Sequence, residues 1–501
     1  MPMLRGFVGD ITTLPPDIYV NEMPTPQSNA VTMSNFVAGF IGDFDRGPVG
    51  SYVYAQKTPT KSLLEKLTNV FGEASDDGNA GNQLLRHIDE CDLDYVVLVR
   101  ILGEGYETAS YVLQDSAGND ALKVSAKYPG EYGNVFAVEV QEDSTEGLYT
   151  LVLTSDIGGK ETYKDLASVD AAVEAVSAAS EHFVVESMVD ESTDTVSLAT
   201  LSKTQLVGGS NGANLTENDY IGALDAGTGK RTGLKVMELA ANRVTDMAYI
   251  GFSSQKADKA LMDVAEKYNS FSYIGVNNTK TVEDFIGYRK LFDSDFCQCA
   301  AGDVFALTGA KISAACLSVL LHCKTNVEDS GLAKECIWIS KIAPEFDFDQ
   351  LQELYKNQVA VFTLKPSEAE NGALAYRMSS DYTMAKTDEG GNVISDIRVR
   401  KVTKRRLNSW IEKSLFYVCA PWQGKAMTKK MLDAAEIRIR SFFDSLVSPK
   451  NGDTQKIEDY SVTFDSNADR IDAFIQDLRV LHFNTADWVL LNYQGSVSVE
   501  V

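Results

Sequence analysis

In two separate stretches of this sequence, apolar runs at strand spacing alternate with apolar residues at helix spacing, and a block of short, turn-bounded strands separates the stretches. That alternation constrains the fold more than any other feature, because strand, helix and strand in succession build a largely parallel sheet. In the first stretch, residues 36–40 (FVAGF) predict a strand, and Arg46-Gly-Pro-Val-Gly50 turns the chain. Leu63, Leu64, Leu67, Val70 and Phe71 recur at helical spacing over 62–71, with Gly72 placed as terminator. Residues 83–91 repeat a helical pattern, and 95–102 (YVVLVRIL) are dense enough for a buried strand. The second stretch predicts strands over 246–252 and 271–276, and helices over 257–268 and 282–292.

Between them, 122–126, 135–140 and 149–154 alternate apolar and polar residues and are separated by Gly, Asn, Asp and Ser clusters, with one helix expected over 169–179. At 501 residues the chain is too long for a single core. The expected fold class is therefore multidomain α/β and α+β. An α/β domain (31–103 and 214–372) is interrupted by an inserted β-rich domain (104–213) and followed by a C-terminal α+β unit (373–495). In that last unit, 404–420 and 428–446 read as helices, and 460–464, 477–482 and 487–491 as strands.

Both ends read as extended arms. In residues 1–30, Pro15, Pro16, Pro24 and Pro26 exclude a helix or a central strand, leaving Ile18, Tyr19, Val20 and Asn21 as a short pairing segment. At the other end, 496–501 alternates strictly, with Val497, Val499 and Val501 on one face.

The net charge of −25 argues against a nucleic-acid-binding surface over the whole molecule. It is unevenly spread. Residues 398–440 hold twelve basic residues against three acidic ones, a local +9 in a chain otherwise at −34. Within it, Arg398, Arg400, Lys404, Arg405, Arg406, Lys425, Lys429, Lys430, Arg438 and Arg440 are candidates to face an acidic partner. Seven cysteines without framework spacing fit a reducing compartment. No secretory signal is read at the start, and the longest apolar stretch, 312–321, is too short for a membrane span.

Features that invite an enzymatic reading each fail on spacing. Ala226-Gly-Thr-Gly-Lys-Arg-Thr-Gly233 lacks the first glycine and the post-lysine hydroxyl of a phosphate loop, since Leu224 and Arg231 stand there. Val207-Gly-Gly-Ser-Asn-Gly-Ala213 is a turn without dinucleotide-binding spacing. Cys297 and Cys299 are one residue too close for a zinc pair, and Cys316, Cys323 and Cys336 read as core thiols. His87, His182, His322 and His482 flank no nucleophile motif. No catalytic residue, cofactor or metal site is expected.

Five segments, in order, carry a family resemblance. Pro16-Asp-Ile-Tyr-Val-Asn-Glu22 is similar to the P-G-V-Y-V-x-E opening of contractile-tail sheath proteins. Val37 to Val49 resembles that family's apolar strand ending in R-G-P, and Ser62 to Gly72 its helix closing in F-G. Pro129-Gly-Glu-Tyr-Gly-Asn134 with the following strand resembles G-x-W-G-N-x-L-x-V-x-V, with Tyr132 as the aromatic. Leu206 to Gly212 resembles the G-G-x-D-G turn, with Asn211 at the Asp place. The family's R-G-x-W-x-A-P and W-G-x-R-T segments are absent from the C-terminal third.

The resemblance implies a structural subunit of a contractile phage tail, or of a tailocin or other contractile injection system. Such a subunit polymerises with copies of itself as stacked hexameric rings around an inner tail tube, and contracts to drive the tube through the host envelope for genome ejection. Further implied partners are baseplate and tail terminator proteins, with no direct nucleic acid and no membrane insertion. The implied location is the virion tail, after assembly in the host cytoplasm. Its arms add strands to a neighbour's sheet. An α/β enzyme with a β-rich insertion and a tail-tube or baseplate component are the alternatives.

Overall fold

The computed structural model describes residues 36–465 and 475–483, apart from 144, 146, 157, 190–196, 277–279, 368–372, 387–399, 427 and 450–453. Strands β1 (Ala38–Gly42), β2 (Tyr52–Gln56) and β3 (Tyr95–Arg100) and helices α1 (Leu63–Phe71) and α2 (Ala80–Cys91) open the chain. A β-rich region follows: β4 (Ser110–Gln114), β5 (Asp120–Ala126), β6 (Ala137–Glu142), β7 (Tyr149–Ser155), β8 (Gly159–Leu166), α3 (Val169–Ala179), β9 (Phe183–Ser187) and β10 (Leu201–Gln205). Helices and strands then alternate through α4 (Glu217–Ile221), α5 (Leu234–Ala240), β11 (Asp246–Tyr249), α6 (Gln255–Lys267), β12 (Phe271–Val276), α7 (Val282–Arg289) and β13 (Cys297–Ala301). Next come β14 (Asp303–Ala306), β15 (Lys311–Ser313), α8 (Ala314–Lys324), β16 (Ile339–Ala343), α9 (Phe348–Lys356), β17 (Val359–Ala360), β18 (Phe362–Pro366) and β19 (Leu374–Met378). The last elements are α10 (Val402–Cys419), α11 (Lys429–Val447), β20 (Asp459–Asp465) and β21 (Ile475–Leu481).

The main sheet has seven strands in the order β17-β13-β12-β11-β1-β3-β2, all parallel except the β2–β3 pair. The two-residue period of its strands divides two cores. Phe40, Val96, Leu98 and Ala248 pack with α1, α2 and α8, while Ile41, Val97, Val99 and Met247 pack with α5, α6 and α7. Helices begin where the sequence offers an oxygen to the first turn. The Ser62 hydroxyl accepts the Glu65 amide at 3.1 Å, and Thr281 and Asp284 form a capping box on α7. Residues 374–385 belong to this body. β19 pairs with β18, and Tyr376, Met378 and Met384 enter its cores. The two strands of this ribbon lie on either side of position 372/373, where the sequence reading begins the C-terminal unit.

The β-rich region holds a third core of its own, made by residues 109–206. Its sheets are β9-β5-β4 and β10-β6-β7-β8. The chain enters and leaves it side by side. The Gly103 amide donates to the Asn211 carbonyl at 3.1 Å and the Ala213 amide to the Glu104 carbonyl at 3.0 Å, so close that a Cβ on Gly103 would strike the Ala213 carbonyl. Arg100 adds a second tie. It is fully buried and donates to the carbonyls of Phe44, Asp45 and Gly47 at 3.0–3.1 Å, and to that of Pro129 at 2.7 Å.

The same geometry explains the motif residues of the turns. The Asn134 amide donates to the Gly209 carbonyl and its oxygen accepts the Gly209 N–H, both at 2.9 Å, while the Asn211 oxygen accepts the Glu131 amide at 3.2 Å. Tyr132 closes its own turn by hydrogen bonds to the Tyr128 backbone and packs edge-on against Phe136.

A fourth core joins α10 and α11 through Leu407, Trp410, Ile411, Phe442 and Phe443, with Ile457 buried in it and Tyr460, Leu478 and Val480 of the β20–β21 ribbon packed against it.

Candidate functional site

The features that suggested chemistry are dispersed or structural. Cys297 and Cys299 face the α5–α7 side of the sheet, whereas Cys316 and Cys336 lie in the core on the other side. Burial pushes the Cys299 and Cys316 thiols up to about 12, the condition of neutral packing groups. The ring nitrogen Nε2 of His87 lies 2.9 Å from the Ala310 carbonyl, and burial pushes this imidazole down to about 4. His322 Nδ1 lies 2.8 Å from the Ser318 carbonyl, and burial, then the nearby Arg406, push it down to about 3. Leu224 bridges Arg231 across a tight hairpin whose Asp225 accepts the Gly227 amide, so the 226–233 segment is a turn. Among the described residues no group of three or more His, Cys, Asp or Glu converges to hold a metal, and no helix is long and apolar enough to cross a membrane.

The ten basic candidates divide by place, Lys404 being half-buried with its ammonium donating to the Phe483 carbonyl. Arg398 lies outside the described residues, as do the arm residues Ile18, Tyr19, Val20, Asn21, Val497, Val499 and Val501. Arg400 is half-buried, 5.9 Å from the Tyr382 ring centre. Arg405 is 5% exposed, 3.0 Å from Glu412 and 3.6 Å from Asp295, over the Phe296 ring. Arg406 is 3% exposed and forks onto both oxygens of Asp246 at 2.7 and 3.1 Å, donating also to the His322 carbonyl at 2.7 Å. The expectation that Arg405 and Arg406 face a partner is therefore corrected. Both are internal, because each is taken up by a buried carboxylate of its own chain. Burial alone would raise the Asp246 carboxyl, but the Arg406 guanidinium more than offsets it and holds the group below its usual range.

Two turns further along α10, Lys413 is also fully buried. Its ammonium donates to the carbonyls of Ala241 and Val244 and to the Ser270 hydroxyl, at 3.3, 2.6 and 2.9 Å. Burial pushes it down to about 7. The crevice beside Asp246, Arg406 and Lys413 measures about 10 Å³, room for a water molecule and not for a metabolite. This polar seam is the seat of α10 on the sheet.

Lys425, Lys429 and Lys430 lie in the turn between the two helices and at the start of α11, all solvent-exposed. Arg438 stacks over Trp422 at 5.7 Å, and Arg440 pairs with Glu436 one turn away at 2.5 Å. Ile437, on the same helix, is 61% exposed. Beyond them, β20 and β21 pair antiparallel over seven residues and form a sheet of two strands only, with no third strand on either edge among the described residues.

No protein-family model matches the sequence, and no curated protein is similar to it. Solved structures are similar. A sheath tail protein of Listeria innocua superposes with a TM-score of 0.61 at 13% identity, over 92% of this chain and 94% of the other. This chain has the fold of the sheath tail proteins. A second one, from Desulfitobacterium hafniense, superposes with a TM-score of 0.57 at 14% identity, over 93% of this chain and all of that one. The contracted helical sheath of the anti-feeding prophage gives 0.50 at 10% identity, over 96% and 98%. The sheath fold thus spans the α/β body, the β-rich region and the C-terminal helices together.

Proposed function

We propose that this chain is the structural subunit of a contractile tail sheath. It polymerises as stacked hexameric rings around an inner tail tube and contracts to drive that tube through a cell envelope for genome ejection. The likeness over nearly the whole length of two sheath tail proteins carries this reading. Its partners are copies of itself, the inner tube, and baseplate and tail terminator proteins, and its place is the tail of the virion. The likeness to the anti-feeding prophage sheath supports a second setting, an injection machine. Purified particles with or without a capsid separate the two.

The ribbon supports a linking mechanism. A two-stranded antiparallel sheet is marginal by itself, and the β20–β21 edges offer backbone groups for further strands. The arm segments at 18–21 and 497–501 are extended by sequence and supply such strands from neighbouring copies. Joined by backbone pairing, whole subunits rotate without parting, and a head-to-tail contact of this kind propagates into a tube. The 104–213 region is then an insertion carried on the α/β domain. The exposed Lys425, Lys429 and Lys430 face an acidic tube or neighbour through many weak contacts.

Electron microscopy of the purified chain tests the reading. Hollow, ridged cylinders are expected, and monodisperse globules would sink it. Deleting residues 1–22 or 497–501 should abolish cylinders while circular dichroism reports a folded subunit. Energy for contraction is stored in the extended lattice, so added ATP or chelator should leave contraction of purified particles unchanged.

A further inference from the structure

On the α5–α7 side of the main sheet, one buried carboxyl group has no cation beside it among the described residues. Asp258, in the first turn of α6, is 1% exposed. The nearest lysines of its own helix turn elsewhere: Lys256 lies 3.7 Å from Glu217, and Lys259 lies 2.7 Å from Asp263. Arg289 of α7 is committed too. It donates to the carbonyls of Phe292 and Met384 at 3.1 and 2.6 Å and to the Gln358 side-chain oxygen. The titratable groups that face Asp258 are Tyr249 of β11, Tyr288 of α7, and Cys297 and Cys299 of β13, all held neutral by burial. What meets the carboxyl is a pair of hydroxyls. Ser253, between β11 and α6, lies 2.7 Å from Asp258 Oδ2, and the Tyr288 hydroxyl lies 2.6 Å from the same oxygen. The two hydroxyls are 3.1 Å apart. Three oxygens thus close a ring of three contacts, and each contact needs one proton. Ser253 and Tyr288 bring one each. An ionised carboxylate only accepts and would leave one contact without a proton, whereas a carboxylic acid brings the third.

We propose that Asp258 stands in the folded subunit as a neutral acid, and that its proton closes a clasp between α6 and α7. Desolvation acts in the same direction: it is offset only in part by the two hydroxyls and pushes the group up to about 7. The ring joins three places in the chain, the β11–α6 connection through Ser253, α6 through Asp258 and α7 through Tyr288. Ser253 and Tyr288 are half-buried, so the proton has a way to solvent. Ionisation leaves a bare carboxylate between two helices, the arrangement that burial penalises most. The clasp then opens and α7 loosens from α6. Arg289, the residue after Tyr288, carries the loosening on, because it ties α7 to Gln358 at the start of the edge strand β17 and to Met384. The device lies within the α/β body and does not rest on the sheath reading.

In an unfolded chain an aspartate ionises near roughly 3.9, so between that value and about 7 the folded chain holds more protons. The stability that Asp258 contributes is therefore full below the lower value and is lost as pH rises through the upper one. Hydrogen exchange on the full-length chain tests this. Corrected for intrinsic rates, protection of amides 285–290 in α7 should fall roughly ten- to fiftyfold from about pH 5 to about pH 7. Asp258→Asn, a neutral isostere of the acid, should keep its protection over that range. In infrared spectra of the wild type, a carboxylic-acid carbonyl band should be present at about pH 6 and lost by about pH 8, and Asp258→Asn should lack it. That titration is read on the wild type and decides the matter even where the variant does not fold. Flat protection in the wild type, an equal pH response in the variant, or a carboxylate already ionised at the lower pH would overturn the clasp.

Discussion

The basic residues of α10 and those at the start of α11 are indistinguishable by charge and lie fewer than thirty positions apart, yet they do opposite work. Arg405, Arg406 and Lys413 are buried, and every one is matched to a carboxylate or carbonyl of the same chain. Lys425, Lys429 and Lys430 point to solvent. A buried charge without its partner is expensive, whereas an exposed one is nearly free and available to a second molecule. The first group therefore builds the subunit, and the second is the one a partner can use.

The comparison breaks most visibly at Arg406. Arg406→Met strands the Asp246 carboxylate and should lower unfolding free energy by about 3–5 kcal/mol in denaturant titrations. Adding Asp246→Leu should recover more than half of that loss. No recovery would mean that the pair is not the seat of α10.

Lys413 gives the next effect, and it depends on pH. Folding lowers its ionisation to about 7, against roughly 10.4 in the unfolded chain. Between those values the unfolded chain binds more protons, so stability rises with pH. The gain from pH 7 to 9 should reach about 2–3 kcal/mol. A Lys413→Met chain should lack that slope, and an equal slope in the variant would place its origin elsewhere.

On α11 the expected pattern reverses. Lys429→Glu with Lys430→Glu should change stability by no more than about 0.5 kcal/mol per site, while impairing assembly around an acidic tube in a co-sedimentation assay. Assembly equal to wild type would remove these lysines from the interface. Smallest of all, Arg440→Ala should cost about 0.3–0.5 kcal/mol, the worth of a helix pair one turn apart.

Periodicity made much of the scaffold legible. Residues 169–179 and 271–276 form the helix and strand expected there, and 62–71 and 428–446 come within a residue or two at each end. Other elements gave a weaker signal. The strand Cys297–Ala301 has no β-branched residue, and its thiols drew attention to metal chemistry instead. The short helix Glu217–Ile221 is announced only by Thr216 and Asp219, a capping pair without an apolar stripe. The placement of the basic segment was not legible at all. Arg406 finds its carboxylate 160 positions away on a strand of the main sheet, and no count of local charge contains that contact.

The paired entry and exit at Gly103 and Ala213 has a practical consequence. A region whose two ends meet at one point behaves as a cartridge: its contents can be exchanged while the socket stays the same. Any compact domain with similarly adjacent ends could be grafted between those residues, leaving the register of the seven-stranded sheet intact. The Arg100 guanidinium would then lose only its bond to the Pro129 carbonyl and keep those to Phe44, Asp45 and Gly47. In a regular polymer, such a graft would be displayed once per subunit along the whole lattice.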